Sequence, residues 1–479
     1  MVLAVDVGTS SVRAVAYDSD LTPVPGLESH LPHTPRTARD GTAELDIRPL
    51  TRRVIEAVDR VVEAARGAEI EAVGISSFWH GLAATDSSLR PLTPAFLWFD
   101  GRAAIDAARL RERLPERAIH QRTGCRLHPS YWPAKIAWLR RTQPALRAAS
   151  VRWVSPIDLV LGALLGEVST SASLASGTGL YGLRRPGWDR GLLAELGLDR
   201  AALPPVADEP RRGLLPRWRR RWPGLAQAVW AAPIGDGAAA NLGSGCFDPR
   251  RRALTIGTSS ALRVTTPAPP ARLPPSLWCY RSSGARFVVG GALSAGGNLH
   301  EWMLKTLRVD DQRLPAPPER LTFLPLLAGE RSPGFALRAS GAVSGLTLAT
   351  TPAELLAAGL ESVAIQLACI DRDLDRVLPA PELVVASGTA LLSNPGWMRM
   401  VCDALGRPLA PSQALEASSH GAALTALEAA GRAAAGRAAS PGLGPRLRPS
   451  TDPAVRRHYA GAMARQTSLY RLLVDGPRS

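Results

Sequence analysis

The tetrapeptide Gly-Thr-Ser-Ser occurs twice, at Gly8-Thr9-Ser10-Ser11 and at Gly257-Thr258-Ser259-Ser260, about half a chain apart. A short apolar run enters each copy and another leaves it. Val2-Leu3-Ala4-Val5-Asp6 and Val12 to Tyr17 flank the first; Ala253 to Ile256 and Ala261 to Val264 flank the second. Each reads as a β-hairpin whose tight turn exposes backbone N–H groups and small hydroxyls. Such a turn suits phosphate oxygens, because glycine permits close approach and fixed N–H dipoles attract anions. Two of them facing each other across a cleft would hold a nucleoside triphosphate from both sides. Single turns of this composition are ordinary hairpin turns; the matching context of two copies favours the anion site.

Several side chains could act beside such turns. Asp6 ends the first strand, where it would face phosphate, a position that suits a carboxylate when a cation is bound; a turn cap is the alternative. Asp236, in Gly235-Asp236-Gly237, precedes an alanine-rich helix start. A helix N-terminus stabilises an ionised carboxylate and suits a base that accepts a proton at neutral pH; an N-cap has the same geometry. Ser76-Ser77-Phe78-Trp79-His80-Gly81 follows a buried strand from Ile70 to Ile75, where α/β folds line ligand crevices, although a lone histidine there is more often structural. In Trp98-Phe99-Asp100-Gly101-Arg102, Asp100 and Arg102 could offer acceptor and donor to a polyol, or pair with each other. Thr123 to Lys135 is a loop dense in aromatic and hydrogen-bonding groups. Ser387-Gly388-Thr389-Ala390 follows a strand and precedes a helix, a common nucleotide-contact geometry.

The elements that must position these groups follow from periodicity. Leu50, Val54, Val58, Val61 and Val62 form one stripe of a helix from Leu45 to Ala65, started by Asp46 and Pro49. Pro91 to Phe99 reads as a strand, Ala103 to Leu114 and Val154 to Leu165 as helices, and Pro352 to Leu378 as a long helix, amphipathic over Ala353 to Ile370. A helix runs through Trp302 and Leu307, another from Trp397 to Leu405, and a last one from Val455 to Leu473. Gly431 to Pro449 is rich in Ala, Gly and Pro and reads as mobile. With 479 residues, 46% of them hydrophobic, the chain has material for two cored domains, expected at 1–244 and 245–479. Neither a signal peptide nor an uncharged window of membrane-spanning length stands out. Five scattered cysteines fit a reducing cytoplasm. The net charge of +15 comes almost wholly from dispersed arginines, so neither nucleic acid nor a membrane is the expected partner.

Taken together, these segments resemble the FGGY family of carbohydrate kinases. The resemblance spans nearly the whole chain: Asp6 to Arg13, Phe78 to Gly81, Trp98 to Arg102, Gly235 to Gly237, the second Gly-Thr-Ser-Ser turn, Gly290 to Trp302, and Ser387 to Pro408. It implies an α/β, two-domain actin-like ATPase (ribonuclease H-like) fold with nucleotide and sugar in the interdomain cleft, and ATP with Mg²⁺ as cofactors. By that similarity Asp236 is the catalytic base. Asp6, Gly8, Thr9, Ser10, Arg13, Gly257, Thr258, Gly297, Glu301, Gly388, Thr389 and Ser393 surround the nucleotide, with Asp6 reaching the metal through water. Trp79, His80, Asp100, Arg102 and Asp236 bind the acceptor, a small sugar or sugar acid. Within the family, the Phe-Trp-His stretch and the Thr123 to Lys135 run look most like gluconate kinases. The competing readings are a kinase for xylulose, ribulose or glycerol, or a sugar-binding protein without catalysis. Two departures stand out: Thr389 replaces the second glycine of the adenosine motif, where it could crowd the adenine, and Cys402 precedes Asp403 where alanine is usual. The chain leaves open a homodimer.

Overall fold

A computed structural model describes residues 1–309, 315–414, 416–432 and 441–475. Both Gly-Thr-Ser-Ser turns close hairpins. Val2–Val7 pairs antiparallel with Ser11–Tyr17, Val7 opposite Val12. Arg251–Ile256 pairs with Ser260–Thr266, Ile256 opposite Ser260. Each hairpin forms the middle of a mixed sheet. The first sheet runs Val229–Trp230, Ala72–Ser77, Val2–Val7, Ser11–Tyr17, Pro23–Pro32, with Ile234–Gly235 also paired to Ala72–Ser77. The second runs Trp278–Arg281, Phe287–Leu293, Ser260–Thr266, Arg251–Ile256, Leu383–Ser387, Leu409–Pro411.

All six residues of Val2–Val7 and of Ala72–Ser77 are buried, as parallel strands are when helices cover both faces. One cover is the helix Ile47–Ala64. Its stripe of Leu50, Val54, Val58 and Val61 is buried, and Asp46 caps it by accepting from the Arg48 N–H. The other cover comes from far along the chain. Ala417–Ala429 packs on the first sheet, and its Ala422, Ala423, Leu424, Ala426 and Leu427 share a core with Val2, Val5 and Ile75. The first sheet therefore draws one of its layers from the second half of the chain.

That helix also seats Asp236–Gly243, and glycines set the distance. A methyl group on Gly74 would lie 1.8 Å from the Ala422 carbonyl oxygen, one on Gly421 1.9 Å from that of Ala239, and one on Gly243 1.8 Å from that of Ala417. Backbone meets backbone at all three points, so the helix that begins with Asp236 has one seat.

Some elements differ from the sequence expectation. Only Ala95–Phe96 of Pro91 to Phe99 is strand, because Pro91 and Pro94 have no N–H for a ladder. Pro352–Asp375 is not amphipathic: Leu356 to Ala368 is buried without a break. It is the one described helix long and apolar enough to cross a membrane, and 78% of its apolar window is packed inside the protein. Its Glu361 is paired with His458 of the C-terminal helix Pro453–Tyr470. Beside it, the fully buried Arg252 side chain is held by Asp371 and Asp375. Of the stretch expected to be mobile, residues 433–440 lie outside the described residues. Beyond them the chain is bonded: the Gln413 N–H donates to the Gly442 carbonyl at 2.9 Å, and Leu409 and Leu447 exchange bonds.

Candidate active site

The parallel pairing of the first sheet brings two carboxylates to one edge. Asp6 is in register with Ser76, and Ile234 and Gly235 with Ser76 and Ser77. Asp6 thus ends its strand beside the segment that leads into Asp236. Asp6 is 8% exposed, and its Oδ1 has no hydrogen-bond partner among the described residues. Burial pushes its carboxyl up to about 6, opposed by the Ser76 hydroxyl and assisted by the charge of Asp236. Asp236 opens the helix Asp236–Gly243, and its Oδ1 accepts from the Gly237 N–H at 2.7 Å. Burial raises Asp236 above the usual carboxylate range, against the Gly237 N–H and the charges of Arg263 and Arg331. The helix terminus alone would favour ionisation; here loss of hydration outweighs it.

A cavity of about 230 Å³ opens at Asp236. Trp79, His80 and Trp98 line it from the first half of the chain, and Ser259, Trp278, Tyr280 and Arg331 from the second. The Trp79 indole is locked in place. Its Nε1–H donates to the Ser173 carbonyl at 2.9 Å, and a methyl group on Gly235 or Gly237 would meet the ring at 2.0 or 2.7 Å. His80 adopts a left-handed backbone, φ 68°, unusual for a residue with a side chain. Its Nδ1 faces the Gly177 carbonyl and its Nε2 faces an Arg331 guanidinium nitrogen at 3.3 Å. Burial and the Arg331 charge hold the imidazole well below its ordinary pKa, hence neutral. The Tyr131 and Tyr280 hydroxyls meet at 2.7 Å across the same wall.

Arg263 is a buried cation beside the base. It donates to the Asn241 Oδ1 at 3.0 Å and the Thr255 Oγ1 at 2.9 Å, and Asp236 is its leading charged neighbour.

The expected nucleotide residues fall into two groups. In the second sheet, the Gly297 N–H donates to the Gly257 carbonyl at 2.7 Å and the Asn298 N–H to that of Thr258 at 3.1 Å, so Gly297–Leu307 starts on the turn itself. Gly388, at φ +92°, lies against the Ile256 backbone, and a methyl group on Gly297 would touch the Ala390 Cβ. Gly257, Thr258, Gly297, Gly388 and Thr389 are thus neighbours. Glu301 is one turn along its helix, exposed and paired with Lys305 at 2.7 Å; the Ser393 hydroxyl donates to the Thr389 carbonyl at 2.7 Å. In the first sheet, the Gly8 N–H donates to the Ser11 carbonyl at 2.9 Å and the Ser10 carbonyl accepts from the His33 N–H at 2.8 Å, with Thr9 between them. Arg13 pairs with Glu416 at 3.1 Å.

Asp100 and Arg102 do not line the cavity. Asp100 accepts from the Ala43 N–H at 2.9 Å, and the Arg102 guanidinium is shared between Asp100 at 2.6 Å and Glu44 at 2.8 Å, over the Trp138 ring. Their neighbour Trp98 lines it instead. Arg263, Trp278, Tyr280 and Arg331 also line it without having been expected from the sequence. A signal existed for Trp278 and Tyr280, which are two apart on one strand and so share a face; none marked Arg331.

Two matching hairpins, each at the middle of a mixed sheet, and a cavity lined from both halves of the chain define the architecture. Family models for the FGGY family of carbohydrate kinases match residues 1–241 (N-terminal domain) and 253–430 (C-terminal domain). The chain belongs to that family. It is 25% identical to the gluconokinase of Bacillus subtilis, over 90% of this chain and 88% of that protein. It is 31% identical to the xylulose kinase of Streptomyces coelicolor, over 89% and 87%. The solved gluconate kinase from Lactobacillus acidophilus shares the fold with a TM-score of 0.89 at 23% identity, covering 99% of this chain and 98% of that one.

Proposed function

We propose that the chain transfers a phosphoryl group from ATP to a hydroxyl of a small sugar or sugar acid, with D-gluconate the preferred acceptor and 6-phosphogluconate the product. The observation that carries this reading is Asp236: a carboxylate without an ion pair among the described residues, at the head of a helix with one seat, opening into a cavity that Ser259 and Ser260 of the second hairpin turn line. The similarity to gluconokinases favours gluconate; the higher identity to a xylulose kinase makes xylulose the main competitor.

The residues fit the cofactor pair. No side chain fills the space above Gly257, where a methyl group would meet nothing within 4 Å. The unpartnered Asp6 Oδ1 is a buried acceptor that a hydrated cation would satisfy. Mg²⁺ keeps several waters and binds through one or two carboxylates and phosphates, so the Asp6 carboxylate would suffice as its protein donor. Bound there, MgATP supplies the phosphoryl group and the counter-charge.

The chain's own residues then do four things. The two turns present N–H groups and the Thr9 and Thr258 hydroxyls to phosphate. Trp79, His80 and Trp98 wall the acceptor. Asp236 orients its hydroxyl and takes the proton as the oxygen bonds to phosphorus and the bond to the ADP oxygen breaks, an effect of about 100- to 10,000-fold. Closure of the halves excludes water. ADP formation from MgATP with gluconate, xylulose, ribulose, glycerol or no sugar tests the reading. Turnover chiefly on gluconate supports it. Turnover on another polyol replaces the acceptor, and ADP formation independent of every sugar overturns it.

A further inference from the structure

We propose that Arg331 is the carboxylate-recognition residue of the acceptor site, so that this kinase selects a sugar acid over a neutral polyol of the same shape. The proposal rests on the kinase reading above and deepens it.

Three arginines near the cleft keep different company. Arg102 is neutralised by Asp100 and Glu44. Arg263 also lines the cavity, but its leading charged neighbour is Asp236, and its Nε and Nη2 donate to Asn241 and Thr255. Arg331 lines the cavity and has no ion pair among the described residues. Its guanidinium lies over the Trp98 ring, 5.2 Å from the centroid, and one terminal nitrogen meets the His80 Nε2. Its Nε–H is buried with no acceptor among the described residues. With the His80 Nδ1–H turned to the Gly177 carbonyl, Nε2 presents a lone pair to Arg331. The histidine thus fixes the guanidinium without cancelling its charge. Among the described residues the cation is held by an indole face, a neutral imidazole and the neighbouring Tyr131 hydroxyl; Asp236 shares the cavity but forms no ion pair with it, so a ligand carboxylate would complete the site.

The loop that carries Arg331 is braced. The Glu330 carboxylate accepts from the Gly334 N–H at 3.1 Å, the Ala336 N–H at 2.9 Å and the Tyr470 hydroxyl at 2.7 Å, and the Glu330 carbonyl faces the His128 Nε2 at 3.0 Å. The C-terminal helix and the aromatic loop of the first half therefore both hold the guanidinium in position, as preorganised recognition requires. Arg331 and Asp236 line the same cavity. An acceptor with its carboxylate on Arg331 would offer a hydroxyl from its other end to the base, which orients it as well as selecting it.

The test compares D-gluconate with D-gluconamide, its neutral isostere, in sugar-dependent ADP formation by wild type, Arg331→Gln and Arg331→Lys. Wild type is expected to prefer gluconate. Arg331→Gln is expected to lose about 10- to 100-fold in kcat/KM on gluconate, the worth of one charge-assisted contact, mainly through KM, with gluconamide little changed. Arg331→Lys should recover part of the loss. An equal loss on both acceptors, or a loss in kcat alone, would overturn the proposal, because Arg331 would then serve the transferring phosphoryl group or the fold. Wild-type turnover of xylulose but of neither six-carbon compound would overturn it while leaving the kinase intact. Absence of ADP with any sugar would instead remove the reading on which it rests.

Discussion

Replacing Asp6 with asparagine is expected to stabilise the ligand-free protein while weakening turnover. Asp6 is 8% exposed with an oxygen unpartnered among the described residues, and its carboxyl is raised from 3.8 to about 6. The folded state therefore holds the proton more tightly than the unfolded chain does. Stability is lost as pH rises from the unfolded pKa to the folded one. At about 1.4 kcal/mol per pH unit, the ionised carboxylate costs about 3 kcal/mol above neutrality and almost nothing near pH 4. Asp6→Asn removes a charge and keeps the shape. Its gain in urea unfolding free energy should grow from near zero at about pH 4 to about 3 kcal/mol at about pH 7.5. In the same variant, sugar-dependent ADP formation should fall and its requirement for Mg²⁺ should rise. A gain independent of pH, or no gain at neutral pH, would show that Asp6 is not an uncompensated buried charge and would remove the physical reason for a cation there.

Two further substitutions test the frame. Asp371→Ala leaves the fully buried Arg252 side chain with a lost partner and should cost about 3–5 kcal/mol in urea unfolding; a cost below about 1 kcal/mol would mean that Asp375 alone suffices. Gly74→Ala drives a methyl group into the Ala422 carbonyl and should cost about 1–3 kcal/mol. Because the displaced helix seats Asp236–Gly243, it should lower kcat more than acceptor binding; unchanged kcat would separate that seam from the site.

Local chemistry was the legible part of the sequence. Both hairpins turn at the expected glycines, Asp46 caps its helix, and Asp236 heads a helix as its flanking glycines imply, because each depends on a few adjacent residues. The site's far wall was not legible. Arg331 reaches His80 from 251 positions away, and nothing in a loop of Gly, Pro and Ser marks that approach. Arg102, expected at the acceptor, is claimed by Glu44, 58 positions away, which the sequence does not mark. The return of Ala417–Ala429 to the first sheet rests on backbone contacts at Gly74, Gly243 and Gly421, where the informative residue is one without a side chain. The upward shift of Asp236 was hidden for a related reason: the helix N-terminus is visible in sequence, whereas the desolvation that opposes it depends on the assembled cleft.

The central claim is that Asp236 takes the acceptor's proton. Asp236→Asn, assayed with the best acceptor from the panel, tests it most directly. Calorimetry should show acceptor binding close to wild type, while sugar-dependent ADP formation falls by about 100- to 10,000-fold. Near-normal turnover in that variant would contradict the account and require another base in the cavity.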